Sequence, residues 1–312
     1  MTTTPRVTRP VTEPDQGLRA FVRRHQLSTF FVLALAASWL AWTPYVLSNS
    51  GLGLWDLTFP GGMIGGQLLG MLPGAYLGPI GSAALVTGIV SGRAGLRAWV
   101  RGMWRWRASW RWYAGILIGV PVAIIIATQA VGGQMAAPSQ AWLFVLVAYV
   151  PGLVLQMVTT GLAEEPGWRD FALPRLQRKV GALGSAFVLG PIWALWHMPL
   201  FLTDWAGWPD VSWYAPLVFA AFCFTFGIVM TWVFNRTGQS LPLAMLLHTS
   251  VNNYASVASG ELFPGVDADR FQIAVLLAAG IVATLIVVAT RGRLGYENDR
   301  HTDAAKAVPF SS

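Results

Sequence analysis

Unbroken apolar stretches of about 20 residues, the length that crosses a ~30 Å hydrocarbon core at ~1.5 Å per residue, recur along this chain. Eight can be placed, at 29–49, 64–90, 112–131, 142–163, 183–203, 214–234, 242–258 and 272–290. The pattern predicts an all-α fold, a polytopic membrane helix bundle of about eight transmembrane helices. The second stretch is dense in glycine and proline (Gly65, Gly66, Gly70, Pro73, Gly74, Gly78, Pro79, Gly81), which predicts a kinked or closely packed helix.

Charge placement gives the orientation. Basic residues near helix ends are retained on the cytoplasmic side, and all of the 21 Lys and Arg except Arg270 fall in the two tails or in alternate loops. Both termini are therefore expected in the cytoplasm, and the chain is expected to be a multi-pass protein of the cell membrane. Composition agrees, with 54% hydrophobic and only 11% charged residues where soluble domains carry about a quarter. The net charge of +7 then follows from topology and anionic lipid, and no nucleic acid partner need be invoked. Residues 1–28 and 291–312 read as disordered polar tails flanking a membrane domain at 29–290. The first apolar run follows too long a polar segment for an ordinary signal peptide and reads as a retained anchor. With Cys223 as the one cysteine, neither an intrachain disulfide nor a cysteine metal cluster can form.

Between residues 93 and 111, Arg97, Arg101 and Arg105 recur every four positions opposite Leu96, Trp99, Val100, Met103, Trp106 and Trp110. That spacing predicts an amphipathic helix in the headgroup layer.

Ionisable groups inside a membrane span cost several kcal/mol without partners or water, so the few present are functional candidates. The fourth span runs into Glu164, Glu165 and Arg169, the fifth carries Trp193 and His197, and the seventh carries His248 and Asn252. On a helix Arg169 lies one turn from Glu165 and His248 one turn from Asn252, while Trp193 is placed to wall the pocket of His197. Asp170, Arg175, Arg178 and Lys179 read as cytoplasmic surface charge.

In order along the chain, Glu164-Glu165-x-x-x-Arg169, Trp193-x-x-x-His197 and His248-x-x-x-Asn252 resemble the three motifs of the CAAX-processing and bacteriocin-immunity family of intramembrane proteases. The string EEPGWRDFALPRLQ from Glu164 to Gln177 is similar to the first-motif region of its bacterial branch. Two positions depart from the pattern: Trp193 replaces the usual Phe, and Asp170 replaces Gly. The resemblance covers about residues 160–253. It implies an endopeptidase in which Glu164 and His197 activate a water at a cytoplasm-facing cavity, His248 and Asn252 donate to the oxyanion, and Glu165 with Arg169 holds the first carboxylate. The implied partners are the lipid bilayer and a membrane-anchored protein or peptide substrate. The cofactor is left open: Glu164, His197 and His248 could equally supply three ligands to a zinc ion. Two other readings remain, a proton- or cation-coupled transporter relaying through the same groups and a catalytically silent immunity or scaffold protein.

The expected spans carry a geometric conflict. His197 falls ~21 Å into its helix and His248 ~9 Å into its own, at ~1.5 Å per residue, whereas Glu164 sits at a helix end. Either the fourth helix continues past Glu164, with residues 166–180 dipping into the membrane, or the fifth begins later than residue 183.

Overall fold

A computed structural model describes residues 17–296, and these are all-helical with no strand among them. Six stretches are long and apolar enough to cross a membrane: Gln26–Leu47, Gly62–Gly102, Trp110–Ala130, Trp142–Leu202, Ala215–Arg236 and Ala268–Thr290. The protein is a multi-pass membrane protein. One of the six stretches is two spans. Glu164 and Trp193 would lie ~43 Å apart on a straight helix at ~1.5 Å per residue, yet their side chains share a 2.8 Å hydrogen bond. The chain must reverse between them, and Gly181, at φ 74° and ψ 177°, has non-helical backbone there. The seventh expected span, 242–258, lies within a stretch that is helical from 241 to 262 but falls outside the six, carrying His248, Asn252 and Asn253 among its apolar residues.

The helices are accordingly α1 (Gln26–Leu47), α2 (Gly62–Gly102, broken by non-helical backbone at Gly92, φ 61° and ψ −162°), α3 (Trp110–Ala130), α4 (140–180), α5 (182–202), α6 (Ala215–Arg236), α7 (241–262) and α8 (Ala268–Thr290). Helix α4 continues far beyond the expected residue 163, through a wider π-type turn at Pro166–Ala172. Residues 163–169 are all buried. The first resolution of the geometric conflict is therefore the one adopted: the fourth helix runs on, and the segment after Glu164 is enclosed by its neighbours.

Close packing explains the glycines of α2. A Cβ at Gly70 would come within 2.7 Å of the Tyr45 ring, and one at Gly74 within 2.3 Å of the Trp42 indole nitrogen, so α1 and α2 approach along this stripe. Deeper in, Gly167 of α4 faces α2, where a Cβ would meet the Pro79 carbonyl oxygen at 2.5 Å. The bulge that carries Arg169 is thus pressed against α2.

Three local expectations change. The helix expected to run to Arg111 ends at Gly102, so Arg105 and Trp106 lie on a connecting loop. That loop is pinned inward, because Arg105 pairs with Asp170 at 3.1 Å and its carbonyl accepts from Ser240. Asp170 is correspondingly no surface charge: its side chain is 7% exposed. Arg175 likewise lies over the Phe171 ring, with its guanidinium donating to Gln26 and to the Phe171 carbonyl. Within the expected N-terminal tail, Leu18–Arg24 forms a short helix that buries Ala20 and Val22, and α1 already begins at Gln26; of the expected tails, 1–16 and 297–312 lie outside the described residues.

The backbone of Gly181 occupies a region essentially reserved for glycine. Gly181→Ala is expected to destabilise the fold by about 1–3 kcal/mol, seen as a lowered midpoint of unfolding in detergent. No steric clash contributes, since nothing lies within 4 Å of the added Cβ.

Candidate active site

Local sequence places each polar group. Glu164 and Glu165 end a short regular turn of α4 between π-type turns at Met157–Gly161 and Pro166–Ala172, and both are buried. Trp193 and His197 share a face of α5, and His248 and Asn252 share one of α7.

The adjacent carboxylates are treated differently by their surroundings. Glu165 is fully buried with both oxygens engaged: Oε2 accepts from Arg169 Nε at 3.0 Å, and Oε1 is bonded to His248 Nδ1 at 2.8 Å. Glu164 has one oxygen engaged, Oε2, which accepts from the Trp193 indole N–H at 2.8 Å. Its Oε1 has no protein partner among the described residues.

His197 and His248 both pack against the same indole, their ring centroids 5.7 and 5.2 Å from that of Trp193. His197 Nδ1 is 2.8 Å from the Trp193 carbonyl oxygen. A carbonyl can only accept, so in neutral His197 the proton sits on Nδ1 and Nε2 offers its lone pair. Neither imidazole Nε2 has a partner among the described residues. Nor are those two nitrogens or Glu164 Oε1 sealed from solvent, in contrast to buried atoms such as Trp168 Nε1. Three convergent polar atoms thus keep access to a small molecule. Asn252, half-buried, has no side-chain hydrogen bond among the described residues, whereas Asn253 is fully buried and donates to the Tyr149 carbonyl.

Aromatic rings close the far side of His197. Trp196, Trp205 and Phe219 surround it at centroid distances of 4.6, 5.8 and 4.9 Å, and Phe201 packs behind Trp205 and Phe219. Arg169 lies over Trp193 at 5.4 Å, an additional attraction between cation and indole.

The zinc alternative can be tested against the donor set. Each imidazole has its Nδ1 held by an oxygen, the support that metal-bound histidines commonly receive. As arranged, however, no three His, Cys, Asp or Glu side chains among the described residues are grouped to hold a metal ion. The residues do not fit the ion in this conformation, and no step below is routed through it.

Residues 146–254, which contain every one of these groups, match the family described as type II CAAX prenyl endopeptidase Rce1-like. This segment is thus similar to the type II CAAX prenyl endopeptidases over about a third of the chain. The CAAX prenyl protease 2 of Methanococcus maripaludis is 30% identical over 108 residues, 33% of this chain and 39% of that protein. The chain thus spans well under half the length of the curated relative it matches.

Within the matched segment, the structure brings together Glu164, Glu165, Arg169, Trp193, His197 and His248, with Asn252 one turn from His248. Two contacts were not legible beforehand: the bond from Glu165 to His248, and the indole donor on Glu164. The second had a signal in the sequence, since Trp193 stands where the family pattern has Phe, which carries no N–H. The first had none, because residues 83 positions apart meet only through helix packing.

Removing Glu165 leaves Arg169 and His248 without their directly bonded carboxylate in a buried setting. Glu165→Ala is expected to cost about 3–5 kcal/mol. Glu164→Gln keeps an acceptor for Trp193 and is expected to cost about 1 kcal/mol or less. Unfolding of both variants in one detergent checks the contrast; equal losses would mean the two carboxylates share one structural role.

Proposed function

We propose that this protein is an intramembrane endopeptidase that hydrolyses a peptide bond of a membrane-anchored protein or peptide at a cavity facing the cytoplasm, with both termini on that side of the cell membrane. The observation that carries the reading is the asymmetry of the paired carboxylates. Glu165 is consumed by its two partners, while Glu164 retains an accessible oxygen beside two imidazole nitrogens with free valence.

The chemistry follows from those atoms. A water held between Glu164 Oε1 and His197 Nε2 donates a proton to the carboxylate as its oxygen attacks the substrate carbonyl carbon. The indole N–H on Oε2 fixes the carboxylate plane, so that Oε1 is the oxygen presented. As the C=O bond opens, charge on its oxygen is met by the amide of Asn252 and by His248. With Nδ1–H on Glu165, donation from His248 Nε2 requires the doubly protonated ring, which the Glu165 carboxylate stabilises. Collapse of the tetrahedral intermediate breaks the C–N bond, and the proton held by Glu164 passes to the leaving amine. Glu165 and Arg169 act as positioning residues throughout.

A transporter needs a polar path through both leaflets. The aromatic wall of Trp196, Trp205, Phe219 and Phe201 beyond His197 favours a dead-ended site instead.

Purified protein in nanodiscs should cleave a membrane-anchored peptide, offered with and without a prenylated cysteine. Cleavage is expected to vanish in Glu164→Gln and His248→Ala while both variants remain folded. Undiminished cleavage by Glu164→Gln would remove it as the base, and loss of wild-type cleavage on chelation would establish a metal requirement. Asn252→Ala is expected to lower kcat by about 10²–10³ with KM little changed.

A further inference from the structure

Next to the site lies a second feature that the hydrolytic chemistry does not use. A cavity of about 700 Å³ opens between α3, α6, α7 and α8, within the ~300–1,000 Å³ range typical of ligand pockets. Its lining is apolar except at one end, where Ser109 and Arg111 form the rim.

Small residues of α3 hollow it out. Gly115 and Gly119 line it on one helix face with Ala123, both glycines are exposed, and nothing lies within 4 Å of a Cβ built on either. The gap therefore communicates sideways with the surroundings of the bundle, which for a membrane protein is lipid. From Arg111 to Ile124 it extends about 20 Å at ~1.5 Å per residue, enough for one leaflet of a ~30 Å core together with its headgroup border.

The rim supplies charge. Arg111 has no acidic partner among the described residues, whereas nearby Arg105 is paired with Asp170. A free guanidinium at headgroup level above an apolar shaft complements an anionic phosphate joined to a hydrocarbon chain. The inner wall includes Phe226, whose ring lies 6.3 Å from those of both Trp193 and His248, and Leu247 and Val251, which flank His248 and Asn252.

We propose that this cavity binds one acyl chain of an anionic bilayer phospholipid, with its phosphate on Arg111 and its tail against Phe226 behind the site. The proposal goes beyond the proteolytic reading and does not require it. An acyl chain there supports the packing of Phe226 on Trp193 and His248, so that lipid identity sets the order of the groups around Glu164.

The experiment is native mass spectrometry of the full chain extracted from vesicles of equal phosphatidylglycerol and phosphatidylcholine. Wild type is expected to retain one phosphatidylglycerol in preference to phosphatidylcholine. Gly119→Leu, which fills the shaft, is expected to reduce retention by about tenfold. Arg111→Gln, a change at an exposed rim position, should keep the chain but lose the headgroup preference. Retention by a folded Gly119→Leu variant equal to wild type would overturn the proposal. So would an unchanged preference in Arg111→Gln, or stoichiometric displacement of the lipid by an anchored peptide, which would reassign the cavity to substrate. Because the readout is bound lipid, a protein that retains lipid but cleaves nothing refutes only the proteolytic reading.

Discussion

The carboxylate of Glu165 holds the polar centre of this bundle together. It sits fully buried among apolar helices, where an unpaired charge costs several kcal/mol, and it is ion-paired with Arg169 on its own helix and hydrogen-bonded to His248 on α7. Those bonds tie α4 to α7 and fix the His248 ring. Once Glu165 is satisfied, its neighbour Glu164 faces the same interior with an oxygen to spare. The difference between two identical side chains thus arises entirely from what surrounds them.

Trp193 joins the third helix to this arrangement. Its backbone carbonyl orients His197, its indole N–H orients Glu164, and its ring packs against both imidazoles. A single residue of α5 therefore sets the tautomer of one candidate catalytic group and the orientation of another. Phenylalanine at the same position would supply the wall and the carbonyl but not the N–H. The site of this chain accordingly depends on its second motif more directly than a generic aromatic would allow.

Distance from the site does not mean isolation from it. The loop bearing Arg105 is tied to Asp170, one residue beyond Arg169, and the cavity rimmed by Arg111 ends on Phe226, which touches both Trp193 and His248. A basic residue that topology alone would explain, Arg105, is thus also bonded next to the polar centre.

The sequence by itself determined the helical, membrane-spanning character of the chain and the polar residues worth attention. Apolar runs of fixed length and costly intramembrane charges are properties of local composition, which survive whatever packing follows. It also carried the pairing of Glu165 with Arg169, because residues four apart on a helix are neighbours before any tertiary structure exists. Only the tertiary structure decided that α4 runs on past Glu164, that the chain reverses at Gly181, and that Arg105 leaves its expected helix. A glycine in a helical-looking stretch does not announce its φ, and a π-type turn is chosen by packing against α2. The bond from Glu165 to His248 and the cavity behind Phe226 belong to the same class, since both exist only where helices distant in sequence are pressed side by side.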